Sequence, residues 1–380
     1  MRFEFATAAR IVFGAGSVRD IPAAAREMGR RALLVTRRSA NFQNNFEKMG
    51  IAVVPFPIHG EPTVDLVRQG TQLARDEACD LVIALGGGSS IDAGKAIAAL
   101  LANGGDPLDY LEVVGQGRPL TRPSAPFIAI PTTAGTGSEV TRNAVLASPA
   151  HRVKASLRSP HMLPALAIVD PELTLDLPPA LTASTGLDAL TQLIEPYVCN
   201  RANSMTDLYA VEAMRLAASA LRRAWRDGRD LAARTEMSFA SLLGGLALAN
   251  AGLGAVHGFA APLGAMFDAP HGALCAALLP HAMHVNIRAL RARAPDGDAL
   301  RRYAAVARLL TGRSDATPED GAEWVTVLCG DLEVQPLRVY GVRQADVPAL
   351  AEKAAVASSM KANPIVLTPK ELQELVSLAI

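Results

Sequence analysis

The first half of the chain alternates short apolar runs with segments whose apolar residues recur at helical spacing. The apolar runs predict strands at 31–37, 51–56, 81–86, 126–131 and 166–170. The segments between them predict helices at 17–29, 63–78 and 89–103. Apolar strands separated by helices are typical of a parallel sheet covered on both faces, so the first half is predicted to be α/β.

The second half loses the strand pattern. Prolines within 168–184 are incompatible with a continuous helix or a central strand, so this stretch is predicted to be a linker. Ala- and Leu-rich helical patterns follow at 203–228, 230–252, 298–312 and 368–380. We therefore predict an α/β domain with a parallel sheet over residues 1–180 and an all-helical domain over residues 181–380.

Composition narrows the function classes. The chain of 380 residues carries 37 basic and 37 acidic side chains, and a neutral balance disfavours nucleic acid or an anionic membrane as partner. The four cysteines form no C-x-x-C pair and are predicted to be buried, reduced thiols. Without a signal-peptide core or an apolar run of membrane-spanning length, we expect a cytoplasmic protein.

A glycine-rich loop joins a predicted strand to a predicted helix in "LVIALGGGSSIDAGKAIA" (81–98). Gly86, Gly87 and Gly88 allow the backbone to approach a bulky anion, which the N–H groups of the following helix can bind. The spacing matches neither a Walker A loop nor G-x-G-x-x-G. A tight turn without a ligand is the alternative for this loop alone.

A second loop, in "IAIPTTAGTGSEVTRN" (128–143), follows another strand. Its hydroxyl groups suit phosphate and ribose recognition. They belong to Thr132, Thr133, Thr136 and Ser138. Two such loops at the ends of parallel strands indicate a dinucleotide-binding domain.

The end of the first long strand bears on the choice of dinucleotide. It runs into Arg37 and Arg38 with no acidic residue beside them. A carboxylate there commonly binds the adenosine ribose of NAD, whereas arginine accommodates the 2′-phosphate of NADP. NADP(H) is therefore favoured over NAD(H), with two solvated surface arginines as the alternative.

A candidate metal site lies in the helical half. Asp188 and Gln192 are four residues apart in a helical pattern, so their side chains share one face. His257 and His271 follow, each among small residues. This donor set suits a borderline divalent ion such as Fe²⁺ or Zn²⁺. On spacing alone, hydrogen-bonded core side chains are the slightly favoured alternative.

These motifs together resemble those of the iron-containing (group III) alcohol dehydrogenases along nearly the whole chain. The resemblance rests on "GGGSSIDAGKAIA", "PTTAGTGSEVT", "GLDALTQLIEPYV", "GLGAVHGFAAPLG", "APHG" and a late "NP". It implies a fold like that of dehydroquinate synthase, with the active site between the two domains. It also implies NAD(P)-linked interconversion of small primary alcohols or diols with aldehydes, in a homodimer or higher homo-oligomer.

The resemblance also assigns cofactor residues. The pyrophosphate would lie on Gly87, Gly88 and Ser89, with Asp92 in the helix that faces the phosphates. Lys154 would reach the nicotinamide ribose. The cofactor cleft would be lined by Thr132, Thr133, Thr136 and Ser138. Arg37 falls where NAD-preferring members usually have aspartate.

The metal positions are where this sequence departs from the family pattern. Asp188, His257 and His271 match family ligands, and the resemblance gives them the catalytic role of holding the ion. Gln192 stands where members generally have histidine, and Ala261 replaces a histidine expected to relay protons. With Gln192 as the fourth ligand, we expect reduced affinity or an altered metal preference.

Two alternatives stay open at this point. One is a metal-independent relative of the maleylacetate reductase type, for which His151, Arg152 and Arg158 are the nearby basic candidates. The other is a nucleotide-binding protein without turnover.

Overall fold

The computed structural model describes residues 2–37, 50–151 and 153–380. It divides into two compact units, a sheet unit (Phe5–Thr133 with Gly137–Thr174) and a helical unit (Ala134–Thr136 with Leu175–Ile380 and the first residues). The division at 174/175 lies close to the predicted boundary at 180/181. Arg38 and Arg152 lie outside the described residues.

The sheet unit contains a parallel sheet of six strands in the order β1-β8-β5-β4-β2-β3. The strands are β1 (Ile11–Phe13), β2 (Arg31–Thr36), β3 (Ala52–Pro57), β4 (Leu81–Gly86), β5 (Phe127–Pro131) and β8 (Leu166–Val169). All five predicted strands are confirmed. The missed strand, β1, has three half-buried residues at the sheet edge, too few for a periodic signal.

Helices cover both faces of this sheet, as predicted. They are α1 (Ile21–Met28), α2 (Val64–Asp76), α3 (Gly88–Asn103) and the short α4 (Pro107–Tyr110). Alternate residues of one strand enter different cores: Leu33 and Val35 pack in one cluster, Ala32 and Leu34 in the other. This alternation follows from the two-residue period of a strand.

A two-stranded antiparallel hairpin completes the sheet unit and was not predicted. Its strands are β6 (Asn143–Ser148) and β7 (Val153–Arg158). Buried and half-buried residues alternate along β6, but small and polar side chains make the pattern weak in the sequence. The backbone N–H of Ala147 donates to the Pro62 carbonyl, which ties the hairpin to the segment before α2.

The helical unit is all-helical, as predicted, and the stretch 175–380 is described throughout. Its helices are α5 (Pro179–Val198), α6 (Ser204–Arg226), α7 (Leu231–Asn250), α8 (Ala255–Met266), α9 (His271–Arg293), α10 (Asp298–Thr311), α11 (Pro318–Asp331), α12 (Val347–Val356) and α13 (Pro369–Leu378). Of the predicted linker 168–184, the first residues complete β8 and the last begin α5. Pro179 occupies the first position of α5, where its missing N–H costs nothing.

Among the described residues, no single helix is both long and apolar enough to cross a bilayer. The pair α7 and α8, bent by 95° at their junction, reaches the length and composition together.

All four cysteines are free and buried, which confirms the prediction of buried, reduced thiols.

Candidate active site

One face of α5 carries three polar side chains into the helical core. Asp188, Gln192 and Glu195 are spaced by four and three residues, so they lie along one stripe of the helix. Each is at least nine-tenths buried. Buried polar groups need partners, so the stripe identifies the residues whose partners define the site.

Glu195 holds the N-terminus of α8 against α5. One of its oxygens accepts the backbone N–H of Val256 at 2.7 Å, and the other lies 2.7 Å from Nδ1 of His257. Asn363 adds a second tie, since its side-chain oxygen accepts the N–H of Ala255. A carboxylate on Nδ1 leaves Nε2 of His257 as the atom free to bind elsewhere.

The N-terminus of α9 supplies His271, its first residue, and Cys275 one turn later. Gly272 permits this approach to α5: a Cβ built on it would lie 2.6 Å from the Ser184 carbonyl oxygen. Any larger residue there would push α9 away. His271 and Cys275 share one helical face, four residues apart.

These helices bring four potential ligand atoms together. Oδ1 of Asp188 lies 3.5 Å from Nε2 of His257 and 3.7 Å from Nε2 of His271. Sγ of Cys275 lies 3.6 Å from Nε2 of His271 and 4.0 Å from Nε2 of His257. All four atoms lie within 4.8 Å of one another. Asp188, His257 and Cys275 are buried, whereas the His271 side chain is 39% exposed and gives the cluster an open side.

The ionisable groups of the cluster shift one another's pKa values. Burial acts to raise the pKa of Asp188, but His271, His257 and Gln192 lower it to about 2. Cys275 raises the pKa of His271 to about 9, opposed by burial and assisted by Asp188. Burial also opposes charge on His257, yet Cys275, Asp188 and Glu195 raise its pKa well above the usual value. The ionised carboxylate therefore favours a positive charge beside it.

The donor set fits a divalent cation. Carboxylate oxygen, imidazole nitrogen and thiol sulfur are the ligands of zinc sites. Oδ1 of Asp188 and Oε1 of Gln192 are buried without a hydrogen-bond partner. An unsatisfied buried carboxylate oxygen costs free energy that a bound cation would recover.

In the sheet unit, the glycine loop lies directly between β4 and α3. Gly87 caps α3 and Gly88 begins it, followed by Ser89, so these residues lie at a helix N-terminus as predicted. A Cβ on Gly86 would lie 2.3 Å from Oγ of Ser90, so only glycine fits that turn. The backbone N–H of Thr132 donates to the Gly86 carbonyl at 3.0 Å, joining the two loops.

The second loop follows β5. Thr132 and Thr133 are half-buried there, and the position of a Cβ on Gly87 lies 3.5 Å from the Thr133 side chain. Thr136 is half-buried, while Ser138 is buried and begins a short 3₁₀ turn. The neighbouring Gly135 packs within the helical unit, where a Cβ would lie 2.9 Å from Cβ of Thr185.

A buried lysine holds the end of this loop. Nζ of Lys95, in α3, donates to the Ser138 carbonyl, the Thr141 hydroxyl and the Asn143 carbonyl at 2.7–2.9 Å. Asp92 is also buried, and its Oδ2 accepts the backbone N–H of Val145 at 3.0 Å. The Asp92 side chain therefore connects α3 to the hairpin strand β6.

Two predicted cofactor residues lie elsewhere on the sheet unit. Lys154, on β7, has its Nζ 3.4 Å from a Glu61 carboxylate oxygen. Arg37 is exposed and follows β2 directly. Of the other candidates, Arg158 pairs with Glu112 at 3.5 Å and Ala261 is exposed on α8.

Sequence reasoning missed two members of the site. Cys275 was interpreted only as a buried thiol, although its four-residue spacing from His271 was readable. Glu195 lies within the "GLDALTQLIEP" motif, three residues beyond Gln192, and the same helical stripe could have identified it.

Comparison with known proteins assigns the family. Residues 8–171 match the sequence model of iron-containing alcohol dehydrogenase, and residues 182–380 match the C-terminal model of the Fe-containing alcohol dehydrogenase family. The chain belongs to the iron-containing alcohol dehydrogenase family.

Individual relatives agree along the whole chain. It is 38% identical to 1,3-propanediol dehydrogenase of Citrobacter freundii, covering 91% of this chain and 90% of the relative. It is 32% identical to NAD-dependent methanol dehydrogenase of Bacillus methanolicus, covering 97% of each. A crystal structure of 1,3-propanediol oxidoreductase is 35% identical, with a TM-score of 0.91 and full coverage of both chains.

Three predictions are confirmed by these findings: the family, the fold class and an oxidoreductase that acts on alcohols and aldehydes. A nicotinamide dinucleotide and a divalent metal are the cofactors of this family. The enzyme is thereby favoured over a nucleotide-binding protein without turnover.

Proposed function

We propose that this chain interconverts a small primary alcohol or diol with its aldehyde, using NADP(H) and a divalent ion held by Asp188, His257 and His271. The observation that carries the proposal is the convergence of Oδ1 of Asp188 with both Nε2 atoms at 3.5–3.7 Å. The diol is suggested by the name of the Citrobacter relative.

Each residue of the site has a role set by its contacts. A divalent ion, when bound, supplies Lewis-acid polarisation of the alcohol or carbonyl oxygen. Glu195 fixes the imidazole of His257 through Nδ1, so that Nε2 faces Asp188. Asp188 contributes a full negative charge, and half-exposed His271 lies where substrate can enter.

The sheet unit provides the cofactor residues. The dinucleotide, when bound, carries the hydride at its nicotinamide ring. We assign its pyrophosphate to the N-terminus of α3 at Gly87, Gly88 and Ser89, where free N–H groups and the helix dipole favour an anion. Further cofactor contacts are assigned to Thr132, Thr133, Thr136, Ser138 and Lys154. Asp92, whose carboxylate accepts the backbone N–H of Val145, is assigned the indirect role of holding α3 in place.

The proton path differs from the family pattern. Ala261, four residues after His257, has no titratable group, so no side chain at that position can relay a proton. The proton is therefore exchanged with water at the open side of the site.

The test is turnover before and after metal removal. The purified protein is assayed with NADPH and a panel of small aldehydes, including 3-hydroxypropanal, after chelation and after addition of Zn²⁺ or Fe²⁺. We expect activity to disappear on chelation and return with metal. Full activity after chelation, with maleylacetate as the preferred substrate, would favour the metal-independent alternative. NADPH binding without consumption of any aldehyde would refute the enzyme assignment.

Arg37 tests the cofactor preference separately. We expect Arg37→Asp to lower the NADPH to NADH ratio of kcat/KM by roughly tenfold, because one phosphate-binding guanidinium is lost. Arg26→Asp, an exposed change on α1, is the matched control. An unchanged ratio would show that Arg37 does not read the 2′-phosphate, as would fit the NAD named for the Bacillus relative.

Oligomeric state and location stay predictions. A homodimer or higher homo-oligomer is expected from the resemblance, and a cytoplasmic location is expected from the sequence. Sedimentation equilibrium of the purified protein measures the first, and cell fractionation the second.

A further inference from the structure

Cys275 is part of the metal-ligand cluster, and neither the family pattern nor the sequence motifs assigned it a role. It lies one helical turn after His271 on the same face of α9, and it is fully buried. Its sulfur is the fourth atom of a group whose other three belong to the proposed metal ligands. A lone buried thiol would be a packing residue. Here the unpartnered Oδ1 of Asp188, 99% buried, lies in the same group.

Four of the six distances among the ligand atoms are close to those of tetrahedral coordination. Ligand atoms at zinc bond lengths of about 2.0–2.3 Å lie roughly 3.3–3.6 Å apart at the corners of a tetrahedron. The measured separations are 3.5 and 3.7 Å from the carboxylate oxygen to the imidazole nitrogens. From the sulfur to the same nitrogens they are 3.6 and 4.0 Å. The other two separations, carboxylate oxygen to sulfur and imidazole to imidazole, are at most 4.8 Å.

Gln192 is poorly suited to the fourth position. Its amide is neutral, so it adds no charge that would hold a divalent cation, whereas a thiolate does. A neutral amide oxygen is also a weaker ligand for a borderline ion than a thiolate.

We propose that the Cys275 thiolate, and not the Gln192 amide, is the fourth protein ligand, giving an Asp–His–His–Cys site that favours Zn²⁺ over Fe²⁺. This inference rests on the proposed function, which places the metal on Asp188, His257 and His271. Binding releases the thiol proton to solvent, and the soft sulfur selects zinc. Zinc can accept a fifth ligand, so the substrate still has a coordination position.

Cobalt substitution tests the inference by spectroscopy. Protein stripped by a chelator is titrated with Co²⁺, whose bond to a thiolate gives a sulfur-to-cobalt charge-transfer band in the near ultraviolet. We expect this band in the wild type, saturating at one equivalent. Cys275→Ser and Cys275→Ala should keep one bound cobalt but lose the band, and their Zn²⁺ affinity should fall at least about 100-fold. Two variants are made in case one of them misfolds, which far-ultraviolet circular dichroism detects.

Two control variants sharpen the result. Cys329→Ser removes another buried thiol of the helical unit, one that donates to the Ala276 carbonyl, and should keep the band. Gln192→Ala should keep it as well, because the amide is not a ligand. In Zn²⁺/Fe²⁺ competition, Cys275→Ser should lose most of the wild-type preference for zinc.

The two ways of failing are distinguishable. If wild-type protein binds one cobalt with ligand-field bands but no charge-transfer band, the thiolate is not a ligand and the proposed function stands. A band that survives in Cys275→Ser, or disappears in Gln192→Ala alone, also overturns the inference. If wild-type protein binds no cobalt, the metal role in the proposed function fails together with it.

Discussion

The two units each bury a cluster of titratable side chains, and the clusters differ in whether the protein itself supplies a cation to their acceptor atoms. In the sheet unit, Lys95 is surrounded by acceptors: three hydrogen bonds at 2.7–2.9 Å and the Asp92 carboxylate at 3.8 Å. Oδ1 of Asp92 has no hydrogen-bond partner, but it faces that cation. In the helical unit, the equally unpartnered Oδ1 of Asp188 meets the lone pairs of His257, His271 and Cys275.

This difference indicates that the sheet-unit cluster is scaffold, which stabilises the fold, and that the helical-unit cluster is the site that binds an ion. A buried cation with its acceptors supplied by the protein has nothing further to bind, so it fixes the loop that contributes them. Converging donor atoms at ligand distances gain most from an ion added from solution. Perturbed pKa values occur in both clusters, so a shifted pKa alone would not have separated them.

The largest expected effect comes from removing the anion of the helical cluster. Asp188→Asn keeps the shape but loses the charge and one metal ligand. We expect metal content to fall below stoichiometric and kcat/KM to drop roughly 10³-fold, since Lewis-acid stabilisation is worth several kcal/mol. Metal analysis and steady-state kinetics measure both.

Asp331→Asn is the matched control for that variant. Asp331 is an exposed carboxylate of the helical unit, 2.7 Å from Arg222, and its loss should leave metal content and kcat/KM unchanged. Full metal occupancy in Asp188→Asn would contradict the assignment of the helical cluster as the site.

The next largest effect concerns the sheet-unit cluster. Lys95→Met removes the cation and leaves its acceptors unsatisfied, so we expect the free energy of unfolding to fall by about 3–5 kcal/mol. Metal stoichiometry should stay at the wild-type value, because the cluster is scaffold. Chemical denaturation and metal analysis test the two parts. The exposed Lys353→Met should change neither; a loss of metal in Lys95→Met would break the distinction between the clusters.

Much of the fold was predictable, because local pattern and tertiary environment agree there. Strands such as β4 and β5 are buried on both faces and read as continuous apolar runs. The hairpin β6–β7 was missed because its small and polar side chains give a weak pattern, and its ties to Asp92 and Pro62 join residues that are distant in sequence.

The site was only partly predictable from the sequence, because it also depends on contacts between residues that are far apart in the chain. Asp188, His257 and His271 were identified from helical spacing and small apolar neighbours, and the resemblance to the family added their role as metal ligands. Cys275 was missed because a thiol becomes a candidate ligand only when α8 and α5 bring an imidazole and a carboxylate beside it. That placement depends on Gly272 and Glu195, whose roles are tertiary.

A smaller effect is expected for the residue that orients His257. Glu195→Gln replaces the anionic acceptor at Nδ1 with a neutral amide. We expect Zn²⁺ affinity, measured by competition with a chelator, to fall about 10- to 100-fold. Glu236→Gln, a partly exposed change on α7, should leave the affinity unchanged. Unchanged affinity in Glu195→Gln would show that the helix position alone orients His257.

The smallest effect is a pH dependence of stability in the sheet-unit cluster. Burial raises the pKa of Glu139 to about 7, only partly offset by Lys95. The folded state therefore holds this proton more tightly than the unfolded state, and stability falls as pH rises from about 4.5 to about 7. Burial lowers the pKa of Lys95 to about 8, so stability rises again as pH increases from about 8 to about 10.5. Burial also raises the pKa of Asp92, which adds to the acidic limb.

Glu139→Gln separates these limbs. We expect it to flatten the acidic limb by about 1–3 kcal/mol while leaving the alkaline limb in place. Free energies of unfolding measured from pH 4.5 to 10.5 give both limbs. Subtracting the wild-type value from the variant's value at each pH removes the contribution of groups that titrate elsewhere. Glu112→Gln, a partly exposed carboxylate of the same unit that pairs with Arg158, should follow the wild-type curve. An acidic limb as large in Glu139→Gln as in the wild type would mean that Glu139 is ionised in the folded state and that the limb comes from other groups such as Asp92.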